Sequence, residues 1–289
     1  MDESGTATEF GAYIGRTVVA EDIVTAQLVN RFRACFAPHL APAEVAAVPP
    51  CLHWCLAPDA APGGELGSDG HPAKGKFLPP IPLPRRMWAG GETETLDALR
   101  VNDKVTRTSR IASVSRKEGR SGTLCFVVLR HEFATDRGLA IRERQDLVYR
   151  EPSAPGQAAT PRETPESAPS AAARLCWTVE PDPVLLFRYS ALTFNGHRIH
   201  YDLPYARDVE GYPGLVVHGP LQATLLFNMA TVLGGRVPRR FTHRGVAPLT
   251  APNTLQAEAI DAGHLGPGAL ECRVSDPLGR VTMRAEAIW

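Results

Sequence analysis

The stretch EPSAPGQAATPRETPESAPSAAAR, residues 151–174, constrains this chain most. It is built of Pro, Ala, Ser, Glu and Gln without apolar periodicity. Such a segment buries no surface and reads as a linker. It leaves about 150 residues ahead of it and about 115 behind, each the size of a small domain. The 44% hydrophobic content is enough for a core in each part.

Charge narrows the partners. Lys plus Arg and Asp plus Glu both number 31, so the formal net charge is zero, which argues against a dedicated nucleic-acid or anionic-membrane binder. Small anions stay within reach, because a few clustered arginines can serve one phosphate. No apolar run reaches the roughly 20 residues that cross a bilayer, and MDESGTATEF has no basic-then-apolar pattern, so the expected location is cytoplasmic. The six cysteines lie scattered, mostly in apolar runs, and read as reduced and buried.

Before the linker, AEDIVTAQLVNRFRACFA has helical spacing with Glu21 or Asp22 at its start. KVTRTSRIASVSRK, TLCFVVLRHEFAT and LAIRERQDLVYRE then read as strands of an antiparallel meander turned at EGRSG and DRG. LGSDGHPAKGKFLPPIPLPRRMWAGG, between helix and meander, reads as an ordered loop. After the linker, PVLLFRYSALT reads as a strand and FNGHRIHYDLPYARDVEGYPG as loop and short helix. GPLQATLLFNMATVLGG is a helix too apolar for a surface position, expected to lie in the curve of a sheet formed by TLQAEAID, GALECRVSD and RVTMRAEAIW.

The motifs point further. HYDLPYA (200–206) resembles the His-x-Asp-x-x-x-Ala part of the motif of MaoC-like (R)-specific enoyl-CoA hydratases, and YPGLVVHGPLQATLL (212–226) resembles the strand and helix start that follow it. The first half, with its LGSDGHPAKGK segment and RKEGRSGTLCFV, resembles the dehydratase-like N-terminal domain of the mesaconyl-C4-CoA and itaconyl-CoA hydratase group. The resemblance implies an α+β double hot dog: residues 1–150 as one hot-dog domain and 175–289 as the other, two curved antiparallel sheets, the second wrapped around the long helix. It implies a hydro-lyase acting on an α,β-unsaturated acyl-CoA thioester, without a cofactor beyond the CoA of the substrate, and homo-oligomer formation as an expectation common to the fold. A fatty-acyl dehydratase, a thioesterase and a non-catalytic acyl-CoA binding module are the competing readings.

The family's motif places an aspartate five residues before its histidine. Here Asn195 stands five before His200; with a two-residue insertion, Asn195 would instead keep the motif asparagine's place and Thr193 would take the aspartate's. The aspartate is absent either way. His200 is the expected acid/base, its ordinary pKa lying near working pH. Asn195 can position water, and His197 or Asp202 is the candidate for the missing acidic role, Asp202 also for orienting His200 or capping a short helix. His197 and His200 lack a third ligand in a matching motif, so no metal is expected. The start of the long helix, at Gly219 and Leu221, offers unpaired N–H groups to a thioester oxyanion. Arg85, Arg86, Arg236, Arg239 and Arg240 are the candidates for CoA phosphates, with Arg198 or Arg86 for a second carboxylate.

Overall fold

A computed structural model describes residues 9–119, 122–151 and 173–289. The linker expected at 151–174 falls almost wholly outside them. Among the described residues ten strands form one antiparallel sheet: β1 (Thr17–Ile23), β2 (Arg85–Thr95), β3 (Lys104–Gly119), β4 (Gly122–Thr135), β5 (Gly138–Arg150), β6 (Leu175–Val179), β7 (Arg240–Gly245), β8 (Leu255–Asp261), β9 (Leu270–Ser275) and β10 (Val281–Ile288), in the order β1-β3-β4-β5-β2-β7-β10-β9-β8-β6. The first five come from before residue 151 and the last five from after it. They meet where Gly90–Glu94 of β2 pairs with Arg240–Arg244 of β7. The two expected sheets are therefore one sheet with a seam. A glycine sits at that seam for a reason: a Cβ on Gly90 would come 2.4 Å from the carbonyl oxygen of His243 on β7.

Among the described residues there are three α-helices, α1 (Ala26–Phe36), α2 (Pro183–Leu192) and α3 (Gly219–Gly234); α3 packs on the sheet, and α1 and α2 pack on each other. As its composition predicts, α3 is buried along residues 221–231 and touches β2, β7, β8, β9 and β10. Phe227 stacks on Phe241 of β7 at 4.2 Å between ring centres. Burying such side chains stabilises the fold by about 1.5–3 kcal/mol each. α1 adds Phe32 and Phe36, and Phe36 meets Tyr189 of α2 edge-on at 5.6 Å. Both halves thus contribute to a common core. No helix among the described residues is long and apolar enough to cross a membrane.

Three segments depart from expectation. Glu21 and Asp22 belong to β1, and α1 starts at Ala26 with Thr25 as its cap, the hydroxyl accepting from the Leu28 N–H at 3.1 Å. PVLLFRYSALT is a helix: Asp182 accepts from the Leu185 N–H at 2.7 Å and Pro183 occupies the first turn, where its missing N–H costs nothing. Its dense apolar run imitates a buried strand, but Leu186, Tyr189 and Ser190 face inward while Val184 and Phe187 are exposed, a helical spacing. Finally, Arg85, Arg86 and Trp88, expected in a loop, lie on β2.

Candidate active site

Gly70 and Gly196 bring the halves together above α3. A Cβ on Gly70 would lie 1.9 Å from the Gly196 carbonyl oxygen, and one on Gly196 would lie 2.6 Å from that of Gly70. The Arg198 N–H donates to the Asp69 carbonyl at 2.9 Å across the same contact. The Gly- and Pro-rich segment of the first half is thereby laid against the loop that follows α2. Four imidazoles line up in consequence. His71 and His197 have ring centres 4.1 Å apart, His197 and His200 5.4 Å, and His200 and His218 3.6 Å.

His200 is held in one tautomer. Its Nδ1 donates to the Val216 carbonyl at 2.7 Å, so Nε2 carries the lone pair, and the residue lines a large cavity of about 1680 Å³. Burial pulls its pKa to about 4 against that hydrogen bond, leaving a neutral base at pH 7. His71 is steadied by Asp69, whose carboxylate lies 2.9 Å from Nδ1. Burial and the Arg86 charge take His71 to about 4, against the pull of Asp69. Burial alone would raise Asp69, but the hydrogen bonds and charge of His71 outweigh it and hold the carboxyl well below the usual range. His218, 1% exposed, hydrogen-bonds the Ser190 hydroxyl at 2.8 Å, and burial lowers it well below an ordinary histidine.

The remaining expected residues divide. Asn195 lines the cavity; its Oδ1 accepts from the His197 N–H at 3.1 Å, leaving the amide NH2 for a ligand. Gly219 opens α3 against the Trp88 ring and also lines the cavity, presenting a first-turn N–H without an intrahelical acceptor. Leu221 does not line it: its side chain is fully buried in the core. Asp202 is no partner of His200, because its carboxylate caps the turn at Tyr205 and pairs with Arg198 at 2.8 Å. Arg198 is committed to Asp202 and the Ser68 carbonyl. Arg85 faces the cavity but is bound to Glu210 at 2.9 Å. Arg236, Arg239 and Arg240 follow the C-terminal end of α3, about 24 Å along a 16-residue helix from Gly219, and line no part of the cavity. Arg86 does line it, beside His71.

Sequence reasoning missed Asp69, His71 and His218. The pair in SDGHP reads in sequence only as part of an ordered loop, since nothing local says that residue 71 meets residue 197. Asp69, His71 and His197 place their ligand atoms within 4.8 Å of one another. The direct Asp69–His71 hydrogen bond and the packing of the His197 ring against His71 account for that closeness.

This much buried neutral imidazole fixes a pH response. Unfolded histidines titrate near 6.5, whereas His71 and His200 titrate at about 4 and His243, through burial, at about 3. The unfolded chain binds more protons throughout that interval, so stability falls as pH drops below 6.5, each group contributing up to about 1.4 kcal/mol per pH unit. Thermal unfolding followed from pH 7.5 to 5 should show a steadily falling midpoint; a flat profile would contradict the buried, neutral assignment.

A curved sheet around one apolar helix, doubled along one chain, with histidines at the junction and a helix N-terminus facing them, is the architecture of hot-dog enzymes that add or remove water at acyl thioesters. The chain belongs to the hydroxyacyl-thioester dehydratase type 2 family, whose model matches residues 51–251, and is a hydro-lyase of that kind. It is 45% identical over 282 residues to the mesaconyl-C(4)-CoA hydratase of Chloroflexus aurantiacus, covering 95% of this chain and 99% of that one. Among solved structures, a MaoC-like dehydratase superposes with a TM-score of 0.67 at 12% identity, covering 97% and 99% of the two chains. A Mycobacterium tuberculosis protein described as a double hot dog gives 0.56 at 15% identity, covering 95% of each.

Proposed function

We propose that this chain hydrates a C5 dicarboxylyl-CoA thioester of the mesaconyl-C4-CoA or itaconyl-CoA type at one site per chain, between the halves. The observation that carries the reading is the neutral His200, its Nδ1 donating to Val216 and its Nε2 free. The near full-length identity to a mesaconyl-C(4)-CoA hydratase supports the substrate class.

In this mechanism His200 Nε2 accepts a proton from water as the water oxygen bonds to the β-carbon. The π electrons move to the thioester oxygen, and the Gly219 N–H at the positive end of α3 stabilises the enolate as it forms. The enolate then collapses, and the α-carbon takes a proton from the imidazolium of His200. Asn195 and the Asp69-oriented His71 hold the water, taking the place of the family's aspartate. Water and thioester supply every atom, so no cofactor is required.

Purified protein given mesaconyl-C4-CoA, itaconyl-CoA and crotonyl-CoA, with loss of substrate and formation of the hydroxyacyl-CoA followed by chromatography and mass, tests the substrate class. The expected result is a kcat/KM for one of the dicarboxylyl thioesters at least 100-fold above that for crotonyl-CoA. A preference for crotonyl-CoA or longer fatty enoyl chains would favour the fatty-acyl dehydratase reading.

A further inference from the structure

Arg107 of β3 is a half-buried cation on the sheet face that lines the cavity, and its Nε has no hydrogen-bond partner among the described residues. Ser109, His131 and Glu143 occupy directly paired positions on β3, β4 and β5, with Arg107 and Gln145 two residues along from this row. Together they make a polar patch under a side pocket of about 200 Å³, which Trp54, Trp88, Thr193, Asn195 and Pro220 complete. Asn195 and Pro220 also line the main cavity, so the pocket opens at the reaction centre.

The hydrogen bonds of this patch leave a specific vacancy. Glu143 and Asp59 are the acids whose charge acts on Arg107, but neither accepts from its Nε; Glu143 Oε1 accepts from the Trp54 indole at 2.9 Å, and its Oε2 faces His53 Nε2 at 3.5 Å. His131, kept neutral by burial, stands 2.7 Å from the Ser109 hydroxyl and 2.9 Å from Gln145 Oε1. A neutral imidazole carries one N–H, so Nε2–H donates to Gln145 while Nδ1 accepts from Ser109. The Gln145 carbonyl is thus occupied and its NH2 remains. A cation with a free N–H and a free amide NH2 lie in one small pocket with no acceptor yet assigned to either.

We propose that this pocket is the subsite for the free carboxylate of the substrate, with Arg107 as its counter-ion and Gln145 as a second donor. The inference rests on the dicarboxylyl-CoA reading above and names what selects that class. In mesaconyl-C4-CoA the β-carbon bears a methyl group and the free carboxylate, so the carboxylate must lie beside the carbon that water attacks, which is where this pocket opens. A fatty chain placed there would leave the guanidinium and the amide desolvated without new partners, which disfavours it. The lining therefore discriminates in both directions.

The test compares Arg107→Met and Arg107→Lys with the wild type on mesaconyl-C4-CoA and on crotonyl-CoA, which keeps the β-methyl and lacks the carboxylate. The readout is the ratio of the two kcat/KM values, which a general loss of folding does not move. Arg107→Met should lower the ratio at least 100-fold, mainly through KM, and Arg107→Lys should recover part of it because the charge remains while the planar fork is lost. A ratio unchanged in Arg107→Met, with the wild type turning over mesaconyl-C4-CoA, would overturn this subsite and leave the function standing. A wild type that hydrates crotonyl-CoA and not the dicarboxylyl thioesters would overturn the dicarboxylate reading and the subsite together.

Discussion

His200→Ala should lower kcat for hydration at least 1,000-fold while the protein stays folded. General acid–base catalysis by one positioned group is worth about 100- to 10,000-fold, and His200 both receives and returns the proton in this mechanism. The ring is buried, with its Nδ1 proton fixed on Val216 and one face covered by His218 at 3.6 Å. Removing it leaves a space that water can enter, bounded by polar groups. The melting temperature measured beside kcat separates a chemical loss from a structural one. His200→Asn retains a hydrogen-bond donor for Val216 but offers no titratable base, and should be as inactive as the alanine variant. Activity within tenfold of the wild type in either variant would remove His200 from proton transfer.

Gly70→Ala should produce the largest structural effect. Gly70 sits at φ +86°, in the left-handed region, and its added Cβ would meet the Gly196 carbonyl oxygen at 1.9 Å. That neighbour is backbone and cannot rotate away. The φ strain costs about 1–2 kcal/mol, and the clash must be relieved by parting the two loops, for a total of about 3–4 kcal/mol. Separation would also lift His71 off His197, so kcat should fall more than tenfold in the fraction that folds. Gly138→Ala is the matched control: Gly138 is at φ +111° in a hairpin turn with nothing within 4 Å of the added Cβ, so it carries the strain alone. Equal destabilisation by the two substitutions would mean that the glycine contact does not hold the halves together.

Much of this arrangement is legible in the sequence because its determinants are local. The meander from Lys104 to Arg150 has alternating apolar residues and glycine turns. α3 has an apolar surface too broad for a surface helix, and His200 stands in a motif whose spacing survives without the aspartate. What could not be read depends on tertiary contact. α2 was hidden because PVLLFRYSALT carries both a strand-like apolar run and the Asp182–Pro183 helix start, and only packing against Phe36 chooses between them. Asp202 suggested an orienting acid by nearness in sequence, yet a turn aims its carboxylate at Arg198 and the Tyr205 N–H. His71 lies 126 residues before His197 and gives no sign of meeting it until the glycine contact is formed. The arginines after α3 looked like a phosphate site because they cluster, while Arg107, whose Nε has no hydrogen-bond partner among the described residues, looked like one of several charges on a strand.

Incubation with mesaconyl-C4-CoA in H2 18O, with products resolved by mass, tests the central claim most directly. Water addition at the junction of the halves predicts one 18O on the β-carbon hydroxyl, an intact thioester, no free CoA thiol, and loss of the label in His200→Ala. Label in a newly freed carboxylate with release of CoA would identify thioester hydrolysis instead and would contradict the account.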